Sequence, residues 1–101
     1  MEYLVEFDIT IPSDVSATDV EQREEAEAAA AATLVEQGHL VRVWRVTTPD
    51  GISKVLGLYL AEDQAQLDGL LRALPMYEWM QITTTALEAH PNDPGAQSRT
   101  T

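Results

Sequence analysis

From Tyr3 to Ile11 apolar residues occupy every second position (Tyr3, Val5, Phe7, Ile9, Ile11), with Glu6, Asp8 and Thr10 on the other side. Such alternation marks a strand with one buried face, so the chain must build a sheet and cover one side of it. Pro12, Ser13 and Asp14 break the pattern. Thr18-Asp-Val-Glu21 then reads as a capping box, Thr18 capping and Glu21 reaching back, for a helix from about Asp19 to Gln37. Its alanines and glutamates are strong helix formers, and Gly38 supplies the stop.

The remaining pattern repeats the alternation of types. His39 to Thr47 reads as a second strand, Thr48-Pro-Asp-Gly51 as a turn, and Ile52 to Leu60 as a third strand. Ala61-Glu-Asp opens a second helix with Leu67, Leu70, Leu71 and Leu74 at helical spacing, and Pro75 ends it. Met80 to Leu87, with three consecutive threonines, is a fourth strand. The order β-α-β-β-α-β predicts an α+β ferredoxin-like sandwich, a four-stranded antiparallel sheet with two helices on one face. The reading assigns residues 1–93 to this domain and 94–101 to a flexible tail. On the second strand Leu40, Trp44 and Val46 would share one side, with Val41 and Val43 on the other. Both sheet faces are then partly apolar, and the sheet is expected to dimerise through its open face.

Charge and composition narrow the partners. A net charge of −11, from 17 acidic against 6 basic residues, argues against a nucleic-acid backbone as ligand. The longest apolar run, Ala28 to Ala32, is far too short for a bilayer. The N-terminal MEYLVEFDIT has no basic leader and reads as a strand, so a cytoplasmic location is the default. There are no cysteines, and the two histidines have no metal-binding spacing. No glycine-rich phosphate loop or GxSxG elbow occurs. The expectation is a small-molecule substrate, with no cofactor, no metal and no membrane.

Few residues are candidates for chemistry. Val20, Glu27 and Leu34 lie seven apart with Ala31 on the same stripe, which turns Glu27 toward the core side of the first helix. A carboxylate held against apolar surface is desolvated and suited to proton abstraction near neutral pH. The plainer reading pairs Glu27 with Arg23 one turn earlier. Arg45 shares a strand face with Val41 and Val43, where it either snorkels to solvent or holds a carboxylate. Trp44 reads as a core, interface or pocket residue. His39, just after the helix stop, and His90, just before Pro91, each read as structural or as proton-handling groups.

Taken together, EYLVEFDITIP, EQGHLVRVWRV, LDGLLRALP and WMQITTTALEAHPND resemble the muconolactone Δ-isomerase family over residues 2 to 93. The combination of G-x-x-x-x-x-W-R, L-L-x-x-L-P and H-P carries the likeness. The resemblance implies a ferredoxin-like protomer that dimerises through its sheets, with a pocket between sheet and first helix. It also implies a 1,3-proton shift in an unsaturated lactone acid, within aromatic compound catabolism. On this likeness Glu27 is the proton shuttle, and Arg45, Trp44 and His90 join His39 as candidate substrate-binding residues.

The chain departs from the family pattern at several places. Val55, Leu56 and Gly57 stand where the catabolic enzymes carry asparagine, tyrosine and serine, and Arg42 stands where they carry histidine. The segment Glu24-Glu25-Ala26-Glu27 is acidic where many relatives are basic. A divergent member is implied, acting on an unsaturated lactone or on a larger, less charged relative of it. Two other readings stay open at this stage: a non-catalytic small-ligand or partner-binding protein, and a cyclase or isomerase of a specialised biosynthetic pathway.

Overall fold

A computed structural model describes residues 1–51 and 53–95. The chain runs β1 (Glu2–Ile9), α1 (Ala17–Glu36), β2 (Leu40–Thr47), β3 (Ser53–Leu60), α2 (Gln64–Arg72), a 3-10 turn at Tyr77–Trp79, and β4 (Met80–Leu87). The strands form one antiparallel sheet in the order β2-β3-β1-β4. This is the expected ferredoxin-like topology. The expected start of the third strand at Ile52 and most of the expected tail, residues 96–101, lie outside the described residues.

The alternation in β1 becomes a division between two faces. Tyr3, Val5 and Phe7 are buried, whereas Leu4, Glu6 and Asp8 are only partly covered on the opposite side. Val5, fully buried, sits opposite Gly57 on β3 and Thr84 on β4. Leu67, Leu71 and Leu74 from the α2 region and Leu34 from α1 complete the core on this side. Removing such side chains from water is the main force holding helices to sheet. Strand β1 stops at Ile9, two residues short of the expected end. Pro12 lacks an N–H and restricts Ile11, which is left exposed.

Both helices are closed by side chains and backbone at their ends. The N-cap of α1 is Ser16, not Thr18: its Oγ accepts from the Asp19 N–H at 3.1 Å. Ser16 has the extended backbone that a cap needs, and it leaves the acid Asp19 in the first turn, where the helix dipole favours it. At the other end Gly38 takes a φ of 79°, and the N–H groups of Gly38 and His39 reach back to the carbonyls of Val35 and Leu34. This closes the helix as a Schellman motif. In α2 the Asp63 Oδ1 accepts from the Gln66 N–H at 2.8 Å, and the Gln66 Oε1 accepts from the Glu62 N–H.

Strand β2 does not alternate as plainly as the sequence suggests. Leu40 lies opposite Tyr59 and Arg42 lies opposite Leu58, so Val41 is an extra residue in the ladder. The bulge shifts the phase of everything after it. Leu40 therefore shares the helix-covered face with Val43 and Arg45, and Arg42, Trp44 and Val46 share the open face. The grouping of Leu40 with Trp44 and Val46 is corrected accordingly. On the open face Leu4, Leu56 and Leu58 are half-buried and Trp44, Leu60 and Leu87 are exposed. Among the described residues no helix is long and apolar enough to cross a membrane.

Candidate active site

The stripe that α1 turns toward the sheet carries Val20, Arg23, Glu27, Ala30, Ala31 and Leu34, and of these only Leu34 is buried. An alanine contributes only a methyl group, so this stripe does not fill the space between helix and sheet. The result is a cavity of about 180 Å³ between α1, the sheet and the end of α2. Phe7, Ile9, Val43, Val55, Leu74 and Met80 are among its walls, with Gly57 in the sheet beneath. Apolar protein cavities of about 150 Å³ accept benzene. A single small ring therefore fits.

Glu27 and Tyr59 are the polar groups of this lining. The Glu27 Oε1 accepts a hydrogen bond from the Met76 N–H at 3.0 Å. Burial pushes the Glu27 pKa above the ordinary carboxylate value, and the Met76 hydrogen bond opposes this only in part. Desolvation disfavours the anion, so the group is a stronger base than an exposed glutamate and carries a proton readily in either direction.

Arg23 is not the partner of Glu27. Its Nη1 donates to the Pro75 carbonyl at 2.8 Å, its Nη2 lies 2.6 Å from the Glu78 Oε1, and its guanidinium stacks over Trp79 at 4.8 Å from the ring centre. These contacts pin the segment that follows α2 against α1. That segment contains Met76, whose N–H holds the Glu27 carboxylate. The expected alternative of an Arg23–Glu27 pair is thereby replaced by an arginine that fixes the backbone to which Glu27 is bound.

Tyr59 is 3% exposed and packs against Phe7 with ring centres 6.2 Å apart. Its ring lies over Gly57 on the same strand face, so close that a Cβ at Gly57 would stand 2.7 Å from its Cε1. Burial first, and the charge of Glu27 second, push its pKa to about 12. The phenol is therefore protonated throughout the ordinary pH range. Sequence reasoning missed both Tyr59 and the Met76 contact. A glycine two positions before a tyrosine on one strand face was the available signal, since it leaves room for the ring to fold over.

The other sequence candidates are spread over the molecule. Arg45 is on the same side of the sheet as the cavity, opposite Val55, with its side chain exposed and no ion pair among the described residues. Trp44 points to the open face opposite Leu56, with the Arg42 guanidinium 5.3 Å from its ring centre. His39 bonds through Nδ1 to the Leu60 carbonyl at 2.8 Å. His90 accepts at Nδ1 from the Asn92 N–H at 3.0 Å, just beyond β4. The end of β4 near His90 pairs with Glu2, whereas the cavity lies at the opposite end of β1, near Ile9 and Met80. Within one protomer the structure unites Glu27 with the cavity, puts Arg45 on the same side, and leaves Trp44, His39 and His90 elsewhere. Among the described residues no cluster of three or more His, Cys, Asp or Glu is placed to hold a metal.

Comparison with known proteins agrees with this arrangement of sheet and helices. The family model described as muconolactone delta-isomerase matches residues 1–93. The muconolactone Delta-isomerase of Acinetobacter baylyi is 28% identical over 92 residues, covering 91% of this chain and 93% of the relative. That of Cupriavidus pinatubonensis is 29% identical over 92 residues, covering 91% and 97%. A crystal structure of muconolactone isomerase superimposes with a TM-score of 0.80 at 21% identity, over 93% of this chain and 95% of that one. The chain belongs to the muconolactone delta-isomerase family, as a divergent member.

Proposed function

We propose that this protein is a double-bond isomerase that moves a proton between two carbons of an unsaturated lactone or related small acid, with Glu27 as the proton carrier. The observation that carries the reading is a partly desolvated carboxylate inside an otherwise apolar, ring-sized cavity. Glu27 removes a proton from one end of the three-carbon unit conjugated to the carbonyl, the electron pair spreads into a dienolate, and the same carboxyl returns the proton at the other end, two carbons away. No net proton is gained or lost, so one group suffices for both transfers. The Met76 N–H, held through Arg23, fixes the carboxylate between the two carbons. Arg45, on the cavity side of β2, is the candidate partner for a carboxylate that extends out of the cavity. A role for Trp44, His39 or His90 would require a second protomer, and the partly apolar open face supports assembly through the sheet.

Glu27→Gln keeps shape and removes the base. Proton exchange of muconolactone and of neutral butenolides with deuterated solvent should fall by roughly two to four orders of magnitude, with the fold intact. Unchanged exchange would remove Glu27 from the mechanism. The apolar lining also suits a second reading, a protein that binds such rings without turning them over. Tight binding with no exchange in the unsubstituted protein would select it.

A further inference from the structure

We infer that Tyr59 is a catalytic residue, its hydroxyl donating a hydrogen bond to the carbonyl oxygen of an uncharged unsaturated ring, a butenolide or cyclic enone, enclosed against Glu27. This deepens the isomerase reading and rests on it. Removing a proton beside a carbonyl places negative charge on that oxygen, and in an apolar cavity the charge needs a positioned donor. The Glu27 carboxylate cannot supply one while it acts as base, and the Met76 N–H is already engaged by it.

The geometry of Tyr59 meets the need. Its ring leans along β3 over Gly57, and Tyr59 and Gly57 both line the cavity. Its hydroxyl has no hydrogen-bond partner among the described residues. No buried side-chain polar atom there lacks a partner, so this hydroxyl must open onto accessible space rather than lie sealed in the core. A buried tyrosine normally finds a partner for its O–H. Here the side chain that carries the unpartnered donor lines the same cavity of about 180 Å³ as Glu27. The high pKa keeps the proton on the phenol, so it stabilises the enolate by hydrogen bonding without giving the proton up.

The same surroundings define what is enclosed. Apart from Glu27 and Tyr59 the walls are apolar, and the chain carries a net charge of −11. Any charged group drawn in would lose its hydration, and an anionic one beside Glu27 would also meet a like charge. The enclosed part of the substrate is therefore an uncharged carbonyl ring.

The step balances. The bond from carbon to the transferred proton breaks as a Glu27 O–H bond forms, and the double bond shifts as the dienolate develops. The proton then passes from Glu27 to the distal carbon, and the conjugated carbonyl compound leaves Tyr59 and Glu27 as they began.

The test uses α-angelica lactone, a neutral β,γ-butenolide with no carboxylate, beside muconolactone. The readouts are isomerisation and deuterium exchange, for the full chain and for Tyr59→Phe and Glu27→Gln, each first checked for a native fold by circular dichroism and a cooperative melt. Turnover of α-angelica lactone is expected, with kcat falling about 100- to 1,000-fold in Tyr59→Phe while KM changes little. Tyr59→Phe at full rate beside an inactive Glu27→Gln would overturn the role of Tyr59 and leave the isomerase reading standing. Turnover of muconolactone but not of α-angelica lactone would overturn the uncharged-ring assignment. Turnover of neither would overturn both the inference and the isomerase reading.

Discussion

The two helices lie on the same face of the same sheet, yet they do different things there. Helix α2 and the short segment after it bury Leu67, Leu71 and Leu74 almost completely. Helix α1 is more than twice as long, 20 residues against 9, but buries only Leu34. The difference lies in side-chain size along the contact stripe. Leucines at helical spacing seal one half of the sheet, and alanines around one glutamate leave the other half open underneath. Buried leucines are thus concentrated under α2 and open space under α1, so the lining of that cavity can change without dismantling the core.

The largest effect that would break this contrast is expected at Leu67, which is fully buried. Leu67→Ala should lower unfolding free energy by about 2–5 kcal/mol, as cavity-creating changes do. A denaturant melt showing a loss under about 1 kcal/mol would mean that α2 is not the sealing helix. A smaller change in stability is expected for the reverse substitution under α1. Ala31→Leu adds carbon where space already exists, so stability should move by less than about 1 kcal/mol, whereas overpacking a filled core costs about 1–3. The same variant should lose at least roughly tenfold in turnover of a small butenolide, because the ring and the new side chain compete for one space. Full turnover in Ala31→Leu would place the site elsewhere.

The smallest effect concerns pH. Burial raises the Glu27 pKa in the folded chain relative to the unfolded one. Between the ordinary carboxylate value and that raised value the folded state holds more protons, so stability declines as pH rises through this window and levels off above it. Glu27→Gln should remove this decline while leaving the behaviour of the exposed acids intact. Stability curves for the two proteins that stay parallel across the window would show that Glu27 is as solvated as a surface glutamate.

Much of the fold was legible because the period of the apolar pattern changes at each element boundary. Met80–Leu87 has the strand limits read from the sequence, and Leu67, Leu71 and Leu74 fill the core as their spacing suggests. The inward turn of Glu27 was legible for the same reason. What surrounds Glu27 was not. Its Met76 partner is 49 residues away, and Arg23 chooses Pro75 and Glu78 over the glutamate one turn along its own helix. Local spacing favours the near partner, and only the folded chain brings the distant one within reach. Tyr59 was hidden differently: a tyrosine in an alternating strand reads as ordinary core, and Gly57 two positions before it signals room for the ring but says nothing of where the hydroxyl lies. The cap at Ser16 was displaced from Thr18 by a choice between two adequate hydroxyls that spacing does not settle.

The bulge at Val41 gives β2 an adjustable length at one position. The ladder on either side of it is regular, with Leu40 opposite Tyr59 and Arg42 opposite Leu58. Deleting Val41 would therefore join two stretches already in step, and Val43 and Arg45 would still face α1 while Trp44 faced away. Deleting Val43 instead would put the rest of the strand out of phase, exchanging Trp44 and Arg45 between the two sides of the sheet. A one-residue loss is thus silent or inverting according to where it falls, and the point at which β2 can shorten without consequence lies two residues before its first cavity-lining valine.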